Sequence, residues 1–160
     1  NALRVSEVCA LVIGKMMHAA ENGIRLSLEP GSSLMERDLL MEPREYVTVV
    51  GNLLENAIEE LKESGEKNGE IRLGIFAKPG VNVISCEDSG RGVSAELLDH
   101  IFQRGVSTKG KNHGTGLYLV KQVADKYGGE ISVETEPGEG SCFTVSLTDL
   151  QSAERRKGAE

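Results

Sequence analysis

Asn52-Leu53-Leu54-Glu55-Asn56 lies inside Pro43–Ser64, a run whose apolar residues Val47, Val50, Leu54, Ile58 and Leu61 recur at the three- and four-residue intervals of one helix face. Pro43 suits the first turn of this helix, and Gly65 to Gly69 breaks it. Asn52 and Asn56 are one turn apart, about 40° from each other around the axis and away from the Val47/Leu54/Leu61 seam. Both amides can therefore face a ligand. An amide oxygen is a neutral, hard donor of the kind magnesium accepts, since that ion keeps several waters and binds through few protein groups plus substrate phosphates. A polar helix face meeting only solvent would look the same. Glu55, Glu59, Glu60 and Glu63 read as such a solvated face.

Outward from this helix the chain alternates elements. Toward the N-terminus, residues 5–21 carry Val8, Leu11, Val12, Met16 and Ala19 in helical rhythm, ended by Asn22-Gly23. Residues 24–29 alternate apolar and polar as a half-buried strand, and 30–41 read as loop. Toward the C-terminus, 71–77 and 81–86 read as strands joined by a tight turn at Lys78-Pro79-Gly80. A short helix is expected over 94–101 with Ser94 as its cap, then a polar loop over 104–113, too polar to form core. A helix over 114–126, ended by Gly128-Gly129, and strands over 130–136 and 141–148 complete the pattern. Three main helices and about five strands, several joined by hairpins, predict an α/β (α+β) two-layer sandwich. Its sheet is mixed and largely antiparallel, with the helices on one face.

At 160 residues the chain is expected to form one domain over 1–150, followed by a flexible charged tail over 151–160. Eighteen Lys and Arg against 25 Asp and Glu leave a net charge of -7, which disfavours nucleic acid and anionic lipid as partners. No apolar run approaches the ~20 residues of a membrane span, so direct membrane insertion by this segment is not expected. Cys9, Cys86 and Cys142 are odd in number and lack metal or CxxC spacing, which predicts reduced thiols in a cytosolic setting. The first residue is Asn1 rather than Met, so the chain is expected to be a piece of a longer protein.

Three further blocks follow the asparagine pair. Asp88-Ser89-Gly90-Arg91-Gly92 comes at the end of a strand, 32 residues after Asn56, where glycines permit close backbone approach to a planar ligand. Ile101-Phe102 runs on to Ser107-Thr108-Lys109. Gly114-Thr115-Gly116-Leu117 opens a helix whose free N–H groups and dipole favour phosphate oxygens, and Lys109 adds a point charge. Neither a Rossmann G-x-G-x-x-G nor a Walker A pattern is present.

In this order and at these intervals the blocks resemble the N, G1, F and G2 boxes of the GHKL (Bergerat) ATP-binding fold of sensor histidine kinases. The run from Ile101 to Gly110 and its continuation Leu117-Tyr118-Leu119-Val120 look like the citrate and dicarboxylate sensor kinase group. The resemblance implies an enzyme, the catalytic domain of a protein histidine kinase in two-component signalling. Such a domain binds magnesium-ATP and donates the γ-phosphoryl group to a histidine on a separate dimerisation domain of the same kinase, with a response regulator downstream. It further implies a cytoplasmic domain of a membrane-anchored sensor.

By the same resemblance Asn56 is the metal ligand, and Asn52 supports phosphates or the metal's water shell. Asp88 accepts from the adenine amine beside Gly90 and Gly92, and Phe102 anchors the root of the lid. Thr108, Lys109, Gly114, Thr115, Gly116 and Leu117 surround the phosphates, Lys109 and Asn52 also serving catalysis. Glu59 departs from the family, many of whose members carry a basic residue there. His18, His100 and His113 sit in no acceptor motif, so the phosphoacceptor is expected outside this chain. Two alternatives stand beside this reading. One is a stand-alone GHKL ATPase or anti-sigma-type serine kinase, which in the family places a Glu where this chain has Asn52. The other is a nucleotide-responsive interaction module without chemistry.

Overall fold

The computed structural model describes residues 2–103 and 116–149. Helix α1 (Ser6–Glu21) leads into strand β1 (Arg25–Leu28), and the long helix α2 (Pro43–Ser64) follows. Strands β2 (Glu70–Lys78) and β3 (Val81–Asp88) form a hairpin, turned by Gly80 at φ +77°. The single-turn helix α3 (Ala95–Leu98), helix α4 (Gly116–Lys126) and strands β4 (Glu130–Glu136) and β5 (Gly140–Thr148) complete the chain. The sheet runs β1-β2-β3-β5-β4, parallel only between β1 and β2. Helices α1, α2 and α4 pack side by side on one face with α2 in the middle, the two-layer mixed sandwich that the pattern of elements predicts.

Period-two alternation fixes which face each strand buries. Ile71, Leu73, Ile75 and Ala77 of β2, Ile84 and Cys86 of β3, and Phe143, Val145 and Leu147 of β5 all point under the helices. Register aligns them in rows: Leu73, Cys86, Phe143 and Val133 stand side by side across four strands. The next row toward one end of the sheet is Ile71, Asp88, Ser141 and Thr135. There the inner face changes from apolar to polar, and there a ligand can meet hydrogen-bonding groups.

Helix α2 buries a wider arc than the single seam read from its sequence. Because α1 and α4 flank it and the sheet lies beneath, Val49, Leu53 and Ala57 are buried along with Val50, Leu54, Ile58 and Leu61, while Val47 is only partly covered. The half-exposed residues of α2, among them Thr48, Asn52, Glu55, Asn56 and Glu59, occupy the remaining side of the helix. The expected loop over 30–41 holds a 3-10 turn (Glu36–Asp38), and Ser33 and Leu34 form isolated bridges to Phe76 and Leu3. A buried polar group pins this segment: the Tyr46 hydroxyl accepts from Leu40 N at 2.8 Å and donates to Asn82 Oδ1, while Asn82 Nδ2 donates to Asp38 O at 2.9 Å. The expected helix over 94–101 is shorter than read, although Ser94 does cap it, its Oγ accepting from Leu97 N at 3.3 Å. Among the described residues no helix is long and apolar enough to cross a membrane. The expected tail lies outside them.

Candidate functional site

Asp88 ends β3 on the inner face and is 4% exposed. Its Oδ1 accepts from Gly90 N at 2.9 Å, a hydrogen bond that fixes the carboxylate plane at the edge of the polar row. Ser141, also buried, stands directly opposite on β5, so its hydroxyl shares the face of Asp88. Ser141 Oγ lies 3.1 Å from Thr135 Oγ1. Sequence reading did not find Ser141 or Thr135, because the β3–β5 register that brings them to Asp88 joins segments far apart in the chain.

The turn after Asp88 is held from three directions. Ser89 N donates to Glu70 O at 3.1 Å and Ser89 Oγ accepts from Glu70 N at 2.9 Å. The β4–β5 hairpin grips the far side, with Gly138 N donating to Arg91 O at 2.8 Å and Val93 N to Thr135 Oγ1 at 2.8 Å. Gly92, at φ +85°, makes the bend between those two contacts. From above, Glu60 of α2 accepts from Arg91 N at 2.8 Å, from Arg91 Nε at 3.2 Å and from Arg91 Nη2 at 3.0 Å.

Glu60 thereby corrects the reading of a uniformly solvated glutamate face. It is 8% exposed and turned toward the sheet, since it lies about 80° around the helix from Asn52. Glu55 also has a definite task, accepting from Lys15 Nζ of α1 at 2.7 Å. Burial pushes the Glu55 carboxyl up, but the Lys15 ammonium outweighs it and leaves the group below the usual carboxylate range. Glu59 approaches Lys62 at 3.7 Å and Glu63 approaches Arg91 at 3.8 Å.

Asn52 and Asn56 are both half-buried on α2. Asn52 Nδ2 donates to Thr48 O at 2.7 Å, which fixes the amide orientation. Its Oδ1 comes so close to Gly116 that a Cβ there would meet it at 3.1 Å. Asn52 and the start of α4 are thus close neighbours. Leu117 is partly buried against the core, and Phe102 packs edge-to-face on Phe143 with ring centroids 6.3 Å apart. Phe102 is therefore a core aromatic at the point where the chain leaves toward residue 104. Thr108, Lys109, Gly114 and Thr115 lie outside the described residues, and so does His113.

Asp88, Gly90 and Gly92 thus lie at the turn after β3 against Glu60 of α2, and Asn52 of the same helix meets Gly116 at the start of α4. The arrangement offers a buried carboxylate and hydroxyls at the sheet, and amide groups about a helix start at the rim. A flat, polar-edged ring at the first and anionic oxygens at the second fit that division.

Comparison with known proteins gives this geometry a lineage. Residues 41–151 match the family model for "Histidine kinase-, DNA gyrase B-, and HSP90-like ATPase". Sensor histidine kinase DcuS of Escherichia coli K12 is 37% identical over 140 residues, covering 88% of this chain and 25% of that protein. Sensor protein CitS of Halalkalibacterium halodurans is 34% identical over 148 residues, covering 92% of this chain and 28% of that protein. The chain thus spans about a quarter of the length of these curated relatives. Among solved structures, full-length ShkA in complex with AMPPNP superposes with TM-score 0.73 at 24% identity over 89% of this chain and 29% of that one. The catalytic domain of histidine kinase ThkA gives TM-score 0.70 at 22% identity, over 89% of this chain and 92% of that one. The relatives bear out the resemblance drawn from the four blocks, and the superpositions bear out the fold. With the motif order, the sheet topology and the family match in agreement, the chain belongs to the histidine kinase-, DNA gyrase B- and HSP90-like ATPase family and is homologous to sensor histidine kinases.

Proposed function

We propose that this chain binds magnesium-ATP and donates its γ-phosphoryl group to a histidine on a separate dimerisation domain of the same kinase. The observation that carries the reading is Asp88, a buried carboxylate whose Oδ1 is taken by Gly90 N–H. The Asp88 carboxylate is the acceptor for the exocyclic amine of adenine, with Ser141 opposite it on β5. The triphosphate runs toward Asn52, Asn56 and the N-terminus of α4. Asn56 is the metal ligand of this proposal, its amide oxygen being a suitable hard donor. Magnesium, when bound, neutralises phosphate charge while taking most of its remaining ligands from phosphate and water.

Phosphoryl transfer asks the protein for positioning and charge stabilisation. An imidazole nitrogen lone pair attacks the γ-phosphorus as the bond to the bridging oxygen breaks, ADP leaves with that electron pair, and the imidazole proton passes to solvent. A neutral imidazole needs no base from this chain. Asn52, an amide anchored to Thr48 O, supplies none, which favours histidine transfer over hydrolysis or serine phosphorylation. Thr108, Lys109, Gly114, Thr115 and Leu117 complete the phosphate end in this proposal. The parent is a membrane-anchored sensor with this domain in the cytoplasm, acting on a response regulator.

The test has two stages. Titration of the chain with ATP and magnesium is expected to show binding that Asp88→Asn weakens by about tenfold, the order of one charge-assisted hydrogen bond. Equal binding by both proteins would remove Asp88 from the adenine role. A longer chain that includes the dimerisation domain, given γ-labelled ATP, is then expected to acquire acid-labile phosphohistidine. Rapid ATP hydrolysis by the present chain alone, abolished by Asn56→Ala, would instead establish the ATPase alternative.

A further inference from the structure

We infer that Glu60 and Arg91 act as a pair of positioning residues that set the aim of Asp88 and thereby the preference for a 6-amino purine. The inference rests on the nucleotide-binding reading above and deepens it. Neither residue belongs to the four blocks as a ligand contact: Glu60 lies one turn beyond Asn56, and Arg91 stands between Gly90 and Gly92. What joins them is a contact between helix and turn.

Gly90 is clamped between two carboxylates. A Cβ on Gly90 would meet Glu60 Cγ at 2.7 Å, Glu60 Oε2 at 2.8 Å and Asp88 Oδ1 at 2.9 Å. The Glu60 carboxylate therefore fills the space beside the residue whose N–H orients Asp88, where only glycine fits, while also accepting the next N–H, that of Arg91, at 2.8 Å. Two successive amides of one turn are thus committed to two carboxylates, one on α2 and one on β3. Moving Glu60 moves Gly90, and moving Gly90 turns Asp88.

The same crowding puts two negative charges about one Cα, and Arg91 compensates for this. Its guanidinium engages both oxygens of Glu60, through Nε at 3.2 Å and Nη2 at 3.0 Å. This bidentate form holds direction as well as charge. The Glu60 side chain is 11% exposed and that of Arg91 52%, so the pair bridges the interior and the rim. Glu60 shares a helix with Asn52 and Asn56. The pair therefore ties the residues proposed for the phosphate end to the turn proposed for the base, so that one rigid helix indexes both ends of the ligand.

The experiment compares binding of ATP with binding of ITP, which carries a carbonyl in place of the 6-amino group, to the full chain and to its Asp88→Asn, Glu60→Ala, Arg91→Ala and Arg91→Lys variants. Thermal unfolding is recorded for each. The unaltered chain is expected to prefer ATP, and Asp88→Asn to lose that preference. Glu60→Ala is expected to reduce the ATP-to-ITP affinity ratio about tenfold, the loss of roughly one well-aimed hydrogen bond. ITP affinity is expected to hold within about twofold, because the phosphate end is untouched. Arg91→Ala is expected to lower the ratio in the same direction and Arg91→Lys to restore part of it.

A lower melting temperature with an unchanged ratio in both the Glu60 and Arg91 variants would overturn the inference, leaving the pair a structural clasp only. If Glu60→Ala does not fold, Arg91→Ala decides, since its side chain stands half in solvent. Absence of ATP binding by the unaltered chain would sink the nucleotide reading itself and this inference with it. A preference lost in Asp88→Asn but kept in the Glu60 and Arg91 variants would sink the inference alone.

Discussion

Replacing Gly140 by alanine tests the joint on which the base end of the site depends. Gly140 opens β5 at φ +115°, where L-residues are strained, and a Cβ there would come 1.9 Å from Asp88 O and 2.9 Å from Asp88 C. The obstacle is backbone, so no side-chain rotation can relieve it. Strain in such a region costs about 1–3 kcal/mol, and forcing apart packed atoms adds about 1–3 kcal/mol. Gly138, two residues earlier in the same hairpin, supplies the control: its φ is +81°, and a Cβ there meets nothing within 4 Å. Gly138→Ala therefore carries the conformational cost alone, about 1–3 kcal/mol. Both variants carry the conformational cost, so the difference between them isolates the collision with Asp88 at about 1–3 kcal/mol. At about 2–4 °C per kcal/mol for a chain of this size, Gly140→Ala should melt roughly 2–12 °C below Gly138→Ala. Because the displaced atoms belong to Asp88, ATP affinity should fall in Gly140→Ala and stay near the original in Gly138→Ala. Scanning calorimetry with nucleotide titration reads both. Equal melting temperatures and equal ATP affinities in the two variants would refute the claim that the start of β5 and the end of β3 are locked by backbone contact.

Two further outcomes follow from buried groups away from the site. Tyr46→Phe removes the hydroxyl that serves Leu40 N, Met41 N and Asn82 Oδ1, leaving polar atoms without that partner in the interior; urea unfolding should show a loss of about 2–4 kcal/mol, and a loss under about 0.5 kcal/mol would contradict the role given to this network. Burial pushes the Cys86 thiol up, helped by the nearby charge of Asp88, and burial also raises Tyr46. The folded state then holds these protons to higher pH than the unfolded one, so their contribution is complete below the unfolded thiol value of about 8.5 and is lost as pH rises above it. Stability should decline by up to about 1.4 kcal/mol per pH unit per group in that alkaline range, and Cys86→Ala should flatten the part that begins nearest pH 9; an unchanged slope in that variant would show that Cys86 ionises no differently in the two states.

The helix periods, the hairpin turns and the strand alternation were legible in the chain because each is set by neighbours within one element. The glutamates of α2 show where that reading ends. A helical wheel drawn with one apolar seam assigns everything opposite the seam to solvent, and it assigned Glu60 there with Glu55 and Glu59. In the fold α2 has three neighbours, α1 and α4 at its sides and the sheet below, so a residue well off the seam still meets protein. Glu60 meets the turn after β3, and Glu55 meets Lys15 of α1. Ser141 and Thr135 were hidden for the corresponding reason in the sheet: their position beside Asp88 is a matter of register between strands distant in sequence.

The residues that carried family likeness were therefore the ones proposed to face the ligand, while those that hold these in place were invisible until the elements were brought together. A sequence motif records what a ligand demands of one segment at a time. The clasp from Glu60 to Arg91 answers a demand made by two segments on each other, so either member can change provided the partner changes with it. That coupling predicts non-additivity: once Glu60 is alanine, Arg91→Ala should have little further effect on base preference. Two independent losses that simply sum would mean that helix α2 does not aim Asp88 through this pair.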